Sequence, residues 1–174
     1  MKPYITLFSL LFILLSFNLK AQTKLKIYGG KNHDQYLGCM TCATDDLNSI
    51  WCIFGDYGST HSDKSIWNEI GVYGSKKSNY SPFNEKAKYP PLILDESDKS
   101  YGYLTINKRN PKRSWLSIAN DICERRDEIV KDIPKYYSET FFDRHNWNPL
   151  SVVSITDHYI LGLFVSVPGQ TCRK

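Results

Sequence analysis

The chain has 174 residues, of which 41% are hydrophobic, 14% aromatic and 23% charged, and its formal net charge is +4 at pH 7. So many apolar and aromatic side chains argue against intrinsic disorder, because the chain can bury enough surface to fold. The small positive excess argues against a dedicated nucleic-acid-binding protein, which usually carries a large excess of Lys and Arg.

The N-terminus has the pattern of an export signal. Lys2 supplies a positive charge, residues 5–17 are almost entirely apolar, and Ala21 places a small residue before Gln22. The apolar run is shorter than the roughly 20 residues that span a bilayer, so we expect cleavage near Ala21. The sequence therefore predicts a signal peptide over residues 1–21 and a secreted or periplasmic mature chain with no transmembrane segment.

The remaining residues, 22–174, are predicted to form a single α+β domain. Two hairpins are indicated by β-prone runs on either side of turn-rich or polar stretches, and two further β-prone runs lie near the C-terminus. Between them, apolar residues at three- and four-residue spacing predict a main amphipathic helix that ends before Pro134. The predicted segments are hairpins at 25–39 and 92–106, a helix at 114–133, and strands at 152–155 and 159–167.

A sixteen-residue block occurs twice in succession, beginning at Ser49 and at Ser65, and a decayed third copy begins at Ser81. Each copy carries Ser-Ile-Trp or Ser-Pro-Phe, and the first two add Gly and Tyr-Gly-Ser at fixed offsets. A fixed period indicates one structural unit laid down repeatedly. We expect a lobe of short helical turns over about residues 49–89, each started by a Ser cap and ended by Gly55 or Gly71 in a left-handed conformation.

The aromatic side chains of the repeats are the candidate binding residues. One hypothesis is that Trp51, Trp67, Tyr57 and Tyr73 form a satellite core, because large aromatic residues are more often buried than displayed. The alternative is that some rings face outward as a platform for a glycan or a peptide.

The five cysteines all follow the predicted signal peptide, in a setting where disulfides persist. One disulfide within Cys39, Cys42 and Cys52, and a second from Cys123 to Cys172, is the favoured arrangement. The alternatives are a metal site or a thiol redox site at the first three cysteines. Spacing does not determine the pairing, and an odd count leaves at least one cysteine without a partner in the chain.

Other chemistry-bearing groups are scattered. Residues 108–113 contain four cations and could bind an anion, although such a run is commonly a solvated turn. His33, His61, His145 and His158 each lie near an Asp, but no nucleophile motif or phosphate loop accompanies them. The sequence therefore predicts no catalytic residue and no cofactor.

The repeat units, Asn84-Glu85, Pro90-Pro91 and the run 101–105 (Tyr-Gly-Tyr-Leu-Thr) resemble a group of small exported bacterial proteins of unassigned role. That resemblance covers about residues 25–113 and implies no activity. The favoured function is a non-catalytic module that binds a glycan or a cell-surface protein through the repeat lobe. The alternative is a small exported enzyme with a cysteine-based metal or thiol site.

Overall fold

The structure is a computed structural model that describes residues 23–141. Its centre is a four-stranded antiparallel sheet with the order β2-β1-β3-β4. The strands are β1 (Lys26–Gly29), β2 (Gln35–Cys39), β3 (Leu92–Leu94) and β4 (Ser100–Tyr103). The α+β prediction and both predicted hairpins are confirmed, whereas the predicted strands at 152–155 and 159–167 lie outside the described residues.

Each hairpin has a turn that suits its sequence. Between β1 and β2, Gly30 adopts a φ of 90°, a conformation that glycine enters without steric penalty. Between β3 and β4, one carboxylate oxygen of Asp95 accepts hydrogen bonds from the backbone N–H groups of Ser97 and Lys99, at 2.8 and 3.0 Å. This side chain closes the turn, as Asp commonly does at such positions.

Three helices follow the sheet: α1 (Ser117–Glu124), α2 (Arg126–Ile129) and α3 (Ile133–Phe141). The prediction of one continuous helix over 114–133 is wrong at both ends and in the middle. The N–H of Ser114 donates to the carbonyl of Tyr103 in β4, so the chain is still held extended there. Arg125, with φ −109° and ψ 16°, separates α1 from α2. Pro134 lies in the first turn of α3, where its missing N–H leaves no helical hydrogen bond unmade.

The repeat lobe contains turns and no helix, which corrects the expected helical turns. Backbone N–H groups donate to carbonyls three residues earlier, for example from Cys52 to Ser49, Asn68 to Ser65 and Ser81 to Ser78. The Ser hydroxyls also accept from the N–H two residues ahead, as in the bond from Trp67 to Ser65 at 3.1 Å. These side-chain bonds offer the backbone an alternative to helix formation, which explains why a chain rich in Ser and Asn forms serial turns.

The repeat glycines are required because a side chain would clash with neighbouring atoms, and not because the backbone is left-handed. Among the described residues, the glycines with positive φ are Gly30, Gly38 and Gly102, so Gly55 and Gly71 do not end helices as expected. At Gly74, an added Cβ would overlap the carbonyl oxygen of Asn68. The turns therefore pack backbone against backbone at these positions.

One continuous core joins sheet, lobe and helices, so the expected satellite core is not separate. Buried residues from all three regions contact one another within it. They include Ile27, Leu37 and Ile93 from the sheet, Ile50, Trp51, Ile66, Trp67 and Phe83 from the lobe, and Leu116, Ile118, Ile122, Ile129 and Tyr136 from the helical region. The repeats thus form one wall of the domain.

Candidate functional site: a tyrosine face beside a disulfide cleft

The two indole rings of the repeats are interior groups. Trp51 is 1% exposed and Trp67 is 0% exposed. Their ring N–H groups donate to the carbonyl oxygens of Met40 at 2.8 Å and Ile50 at 2.6 Å. Burial with a satisfied N–H is typical of a structural tryptophan, so neither indole offers a ring face to a ligand, and the hypothesis that they bind one is corrected.

The two repeat tyrosines are half-buried and lie at opposite ends of the β1–β2 hairpin. Tyr57 packs beside Gly38, and its ring meets that of Tyr36 edge-on with centroids 4.9 Å apart. Tyr73 packs beside Gly29, and burial, followed by the charge of Asp34, raises the pKa of its phenol. The structure therefore does not bring these two predicted binding residues together.

The outer face of the sheet carries aromatic and aliphatic side chains where polar ones are usual. Ile27 and Ile93 are a buried cross-strand pair on the core side of the sheet. Because successive side chains of a strand point to opposite faces, their neighbours along each strand point to the outer face. These residues are all partly exposed and include the cross-strand pairs Tyr28–Tyr36 and Leu92–Tyr103. With Tyr57 alongside, we call this surface the tyrosine face; its members are Tyr28, Tyr36, Tyr57, Leu92, Leu94 and Tyr103.

A small cleft of about 160 Å³ adjoins the tyrosine face at Tyr36. Lysine ammonium groups, acidic and amide side chains and a disulfide line it. The lining residues are Lys24, Lys26, Tyr36, Cys39, Cys42, Asp46, Asn48 and Glu96. Its volume is well below the roughly 300–1,000 Å³ of pockets that enclose drug-sized ligands, so the cleft can receive about one side chain of a partner.

Tyr36 connects the face and the cleft. Burial raises the pKa of its phenol strongly, and the neighbouring Tyr57, Tyr28 and Asp46 act in the same direction. The phenol is therefore neutral at any physiological pH and can both donate and accept a hydrogen bond. A neutral, partly desolvated tyrosine of this kind is well suited to an interface.

The described cysteines occupy two states, disulfide-bonded and free thiol. Cys39 and Cys42 form a disulfide with a Cα–Cα distance of 5.5 Å, which confirms the expected disulfide within the first three cysteines. Cys52 is also disulfide-bonded. Cys123 is a buried free thiol, so the predicted Cys123–Cys172 bond is not formed, and Cys172 lies outside the described residues.

Burial explains why Cys123 is inert. It belongs to the buried core, and burial raises the pKa of its thiol to about 12. Because only the thiolate is a good nucleophile or metal ligand, this cysteine is a small core residue. The amphipathic spacing of α1 had already placed it on the apolar side of the helix.

The remaining sequence candidates do not converge on one site. His33 stacks on Tyr103 and donates from Nε2 to the carbonyl of Pro90 at 3.1 Å, whereas His61 lies on an exposed turn. His145 and His158 lie outside the described residues. Within residues 23–141, no group of three or more His, Cys, Asp or Glu side chains is placed to hold a metal ion.

The cationic run at 108–113 is partly neutralised. Lys108 and Arg113 both contact the carboxylate of Glu124, at 3.0 and 3.1 Å. These two cations lower the pKa of that carboxyl. The arrangement fits a loop that is tied to α1 and does not by itself define an anion site.

No protein-family model, no curated protein and no solved structure matches the chain. The resemblance to repeat-bearing exported proteins therefore stays a prediction from the motifs. Within the described part of the chain, none of the helices has the length and apolar character needed to cross a membrane.

The tyrosine face was not predicted from the sequence. A signal was present, because Ile27-Tyr28 and Tyr36-Leu37 each place a buried aliphatic residue beside a partly exposed tyrosine. The cross-strand register was needed to show that Tyr28 and Tyr36 are opposite one another, with ring centroids 5.4 Å apart.

Proposed function

We propose that this protein is a non-catalytic interaction module of the cell envelope or exterior, and that it binds a protein partner through the tyrosine face. The observation that carries the proposal is the composition of the sheet's outer side. Antiparallel sheets with one face toward water normally alternate apolar and polar residues. Here Tyr28, Tyr36 and Leu92 take the places where polar side chains are expected, and each is partly exposed.

The geometry of the rings favours a protein over a glycan. Tyr28 and Tyr36 are tilted by 58° to each other, and Tyr36 and Tyr57 by 71°. Rings at these angles do not form the flat platform on which a sugar stacks. Tyrosine is instead one of the residues that are enriched at the centre of protein–protein interfaces.

The cleft adds a polar contact to this face. Lys24, Lys26, Asp46 and Glu96 supply charged groups of both signs to its lining. A single polar or charged side chain of the partner could enter it and pair with these groups. The partner's specificity would then depend on this contact, and its affinity on the tyrosine face.

Site-specific photo-crosslinking tests the proposal. A benzoylphenylalanine at Leu94, on the tyrosine face, is expected to form one discrete adduct with an envelope or surface protein of the producing cell, and excess unlabelled protein should compete it away. The same probe at Lys131, an exposed residue between α2 and α3, is the control. Equal adducts at both positions, or none at Leu94, would contradict the proposal, and glycan binding that requires Tyr28 and Tyr36 would change the partner class.

A thiol–disulfide exchange activity is the second candidate, because the Cys39–Cys42 bond lines the cleft beside two lysines. In such a reaction a substrate dithiol would be oxidised to a disulfide, and its two electrons and two protons would convert the Cys39–Cys42 bond to two thiols. Two features disfavour it: the sulfur-bearing residues are only 2% and 6% exposed, and the chain after Cys42 forms turns with no helix. A helix N-terminus commonly stabilises the reactive thiolate. Turnover of a reduced peptide that is lost in Cys39→Ser would establish this activity.

A further inference from the structure

Five members of the tyrosine face form one row that crosses the whole sheet. The strand register pairs Tyr36 on β2 with Tyr28 on β1. It then pairs Tyr28 with Leu92 on β3, and Leu92 with Tyr103 on β4. Cross-strand partners project from the same face of a sheet, and the ring of Tyr57 extends the row beyond Tyr36. We call it the aromatic row: Tyr57, Tyr36, Tyr28, Leu92 and Tyr103.

The length of the aromatic row suits a polyproline II (PPII) helix laid along it. Neighbouring strands lie about 4.8 Å apart, so the row runs about 14 Å from Tyr36 to Tyr103. The ring of Tyr57, whose centroid lies 4.9 Å from that of Tyr36, extends it to about 19 Å. A PPII helix repeats every three residues, or about 9.3 Å, which is close to two strand spacings. Each of its turns therefore meets every second member of the row, and about six residues cover the row.

The hydroxyl groups of the row need hydrogen-bond acceptors. Among residues 23–141, none of the four tyrosine hydroxyls in the aromatic row makes a hydrogen bond. Burial raises the pKa of the Tyr36 phenol strongly, so this group keeps its proton and is also partly removed from water. A polar group in that position loses free energy unless a ligand brings a partner for it. The row therefore presents O–H donors to whatever binds it.

A proline-rich segment has the complementary charge distribution. A PPII helix has no internal hydrogen bonds, so its carbonyl oxygens, which carry the negative end of the peptide dipole, are all free to accept. Proline has no N–H, so such a segment brings acceptors to the phenol hydroxyls and to the ammonium group of Lys26 at the border of the row. An extended strand would bring an N–H for every carbonyl, and these donors find few acceptors on this face.

We propose that the aromatic row binds a proline-rich segment of the partner, about six residues long, in the PPII conformation. This inference rests on the proposed function, because it uses the same face and specifies which part of the partner lies on it. The tilts of 58° and 71° between neighbouring rings make a ridged surface, and proline rings pack well against aromatic side chains so arranged. The PPII helix is also largely formed before binding, so little conformational entropy is lost.

An NMR titration of the isotope-labelled mature protein with decaproline tests the ligand class. The backbone amide signals of Tyr28, Tyr36 and Tyr103 should shift on addition of the peptide. Those of Tyr80 and Tyr89, a stacked tyrosine pair outside the row, should not. Decaproline made of D-proline has the same composition and the opposite helical hand, so it is the matched control and should leave the row unchanged. Equal shifts with both peptides, or none with millimolar L-decaproline, would overturn the proposal.

Variants of the row test where the peptide lies. Tyr36→Phe keeps the ring and removes the hydroxyl, so it should weaken decaproline binding by about threefold to tenfold. Tyr28→Ala removes a whole ring and should weaken binding by more than about tenfold. Tyr89→Phe, the matched loss of a hydroxyl outside the row, should bind as the wild-type protein does. Unchanged affinity in both Tyr36→Phe and Tyr28→Ala would overturn the placement.

Competition with the crosslinking experiment separates this inference from the proposed function. L-decaproline should abolish the adduct that forms at Leu94, and D-decaproline should not. An adduct at Leu94 that persists in saturating L-decaproline would overturn the proline-rich segment and leave the proposed function intact. Decaproline binding that requires Tyr28 and Tyr36, with no adduct at Leu94, would support the row and contradict the envelope or surface partner.

Discussion

The indole N–H of Trp67 donates a hydrogen bond to the carbonyl oxygen of Ile50, 2.6 Å away in the preceding copy of the repeat. Trp51 makes the corresponding bond one copy earlier, to the carbonyl of Met40 at 2.8 Å. Successive copies are therefore linked by side chain to backbone, with no strand ladder between them. The rings of Trp51, Trp67 and Phe83 also follow one another at 5.7 and 6.4 Å.

Trp67→Phe should show what this bond contributes. The ring volume is largely retained, as the natural Phe83 of the third copy shows, but the buried Ile50 carbonyl loses its donor. We expect a loss of about 1–3 kcal/mol in the free energy of unfolding, measured by urea denaturation. Trp67→Ala, which also leaves a cavity, should cost about 3–5 kcal/mol. Equal losses of unfolding free energy in the two variants would mean that the hydrogen bond, and not the packing of the ring, accounts for what Trp67 contributes to stability.

Gly74→Ala should be one of the most damaging small changes in the lobe. The added Cβ would overlap the carbonyl oxygen of Asn68, and backbone cannot move aside as a side-chain terminus can. Overpacking of this kind costs about 1–3 kcal/mol or more. Gly71→Ala is the matched control, because its nearest neighbour is the side-chain amide of Asn68 at 3.0 Å; thermal melting of the two variants should separate them clearly.

Arg126 should matter far more than its ion-pair partner. It is 3% exposed, lies 4.9 Å over the ring of Phe83, and donates to the carbonyl of Trp67 at 3.4 Å. Arg126→Ala should cost about 1–3 kcal/mol through lost packing and hydrogen bonds. Glu69 is 68% exposed, so Glu69→Ala should cost at most about 1 kcal/mol. Similar denaturation midpoints for both variants would contradict this assignment.

The Cys123 thiol should make stability depend on alkaline pH. Its pKa is raised to about 12 by burial, whereas an unfolded cysteine titrates near about 8.5. The folded state therefore holds the proton more tightly, and its contribution is complete below pH 8.5 and is lost as pH rises toward 12. Between pH 8.5 and 12 the free energy of unfolding should fall by about 1.4 kcal/mol per pH unit. Cys123→Ala should remove this slope from the pH dependence of urea unfolding, and a slope that persists in the variant would assign it to other groups.

The same burial predicts the thiol chemistry of the native protein. Iodoacetamide at pH 8 should leave Cys123 unmodified in the folded state and alkylate it after denaturation. Trypsin places this residue in the peptide 114–125, so mass spectrometry reads it directly. Rapid modification of the native protein would show that the core opens at α1.

Sequence patterns predicted the elements that depend on local alternation and turn chemistry. The strands at 26–29 and 35–39 and the second hairpin follow from β-prone runs around Gly30 and Asp95. The sixteen-residue period also identified the lobe as one repeated unit. These features are encoded by neighbouring residues, so a single sequence is enough to find them.

The errors arose where distant contacts decide the outcome. The apolar spacing over 114–133 continues through the break at Arg125, because both helices bury the same side. One error has a local cause: Ser49 and Ser65 were expected to cap helices, but their hydroxyls accept from the N–H two residues ahead and close turns instead. The cysteine pairing and the burial of Trp51 depend on packing across the whole domain, which spacing alone does not reveal.

In the lobe, most of the backbone hydrogen bonds that close the turns span three or four residues, so its copies have little long-range strand register to preserve. The link between the first two copies is the hydrogen bond from the indole of Trp67 to the carbonyl of Ile50. Gene duplication can therefore add or remove sixteen residues as a block while the flanking hairpins keep their pairing. The third copy carries Phe83, a ring that lacks the N–H with which Trp51 and Trp67 bind the carbonyls of Met40 and Ile50.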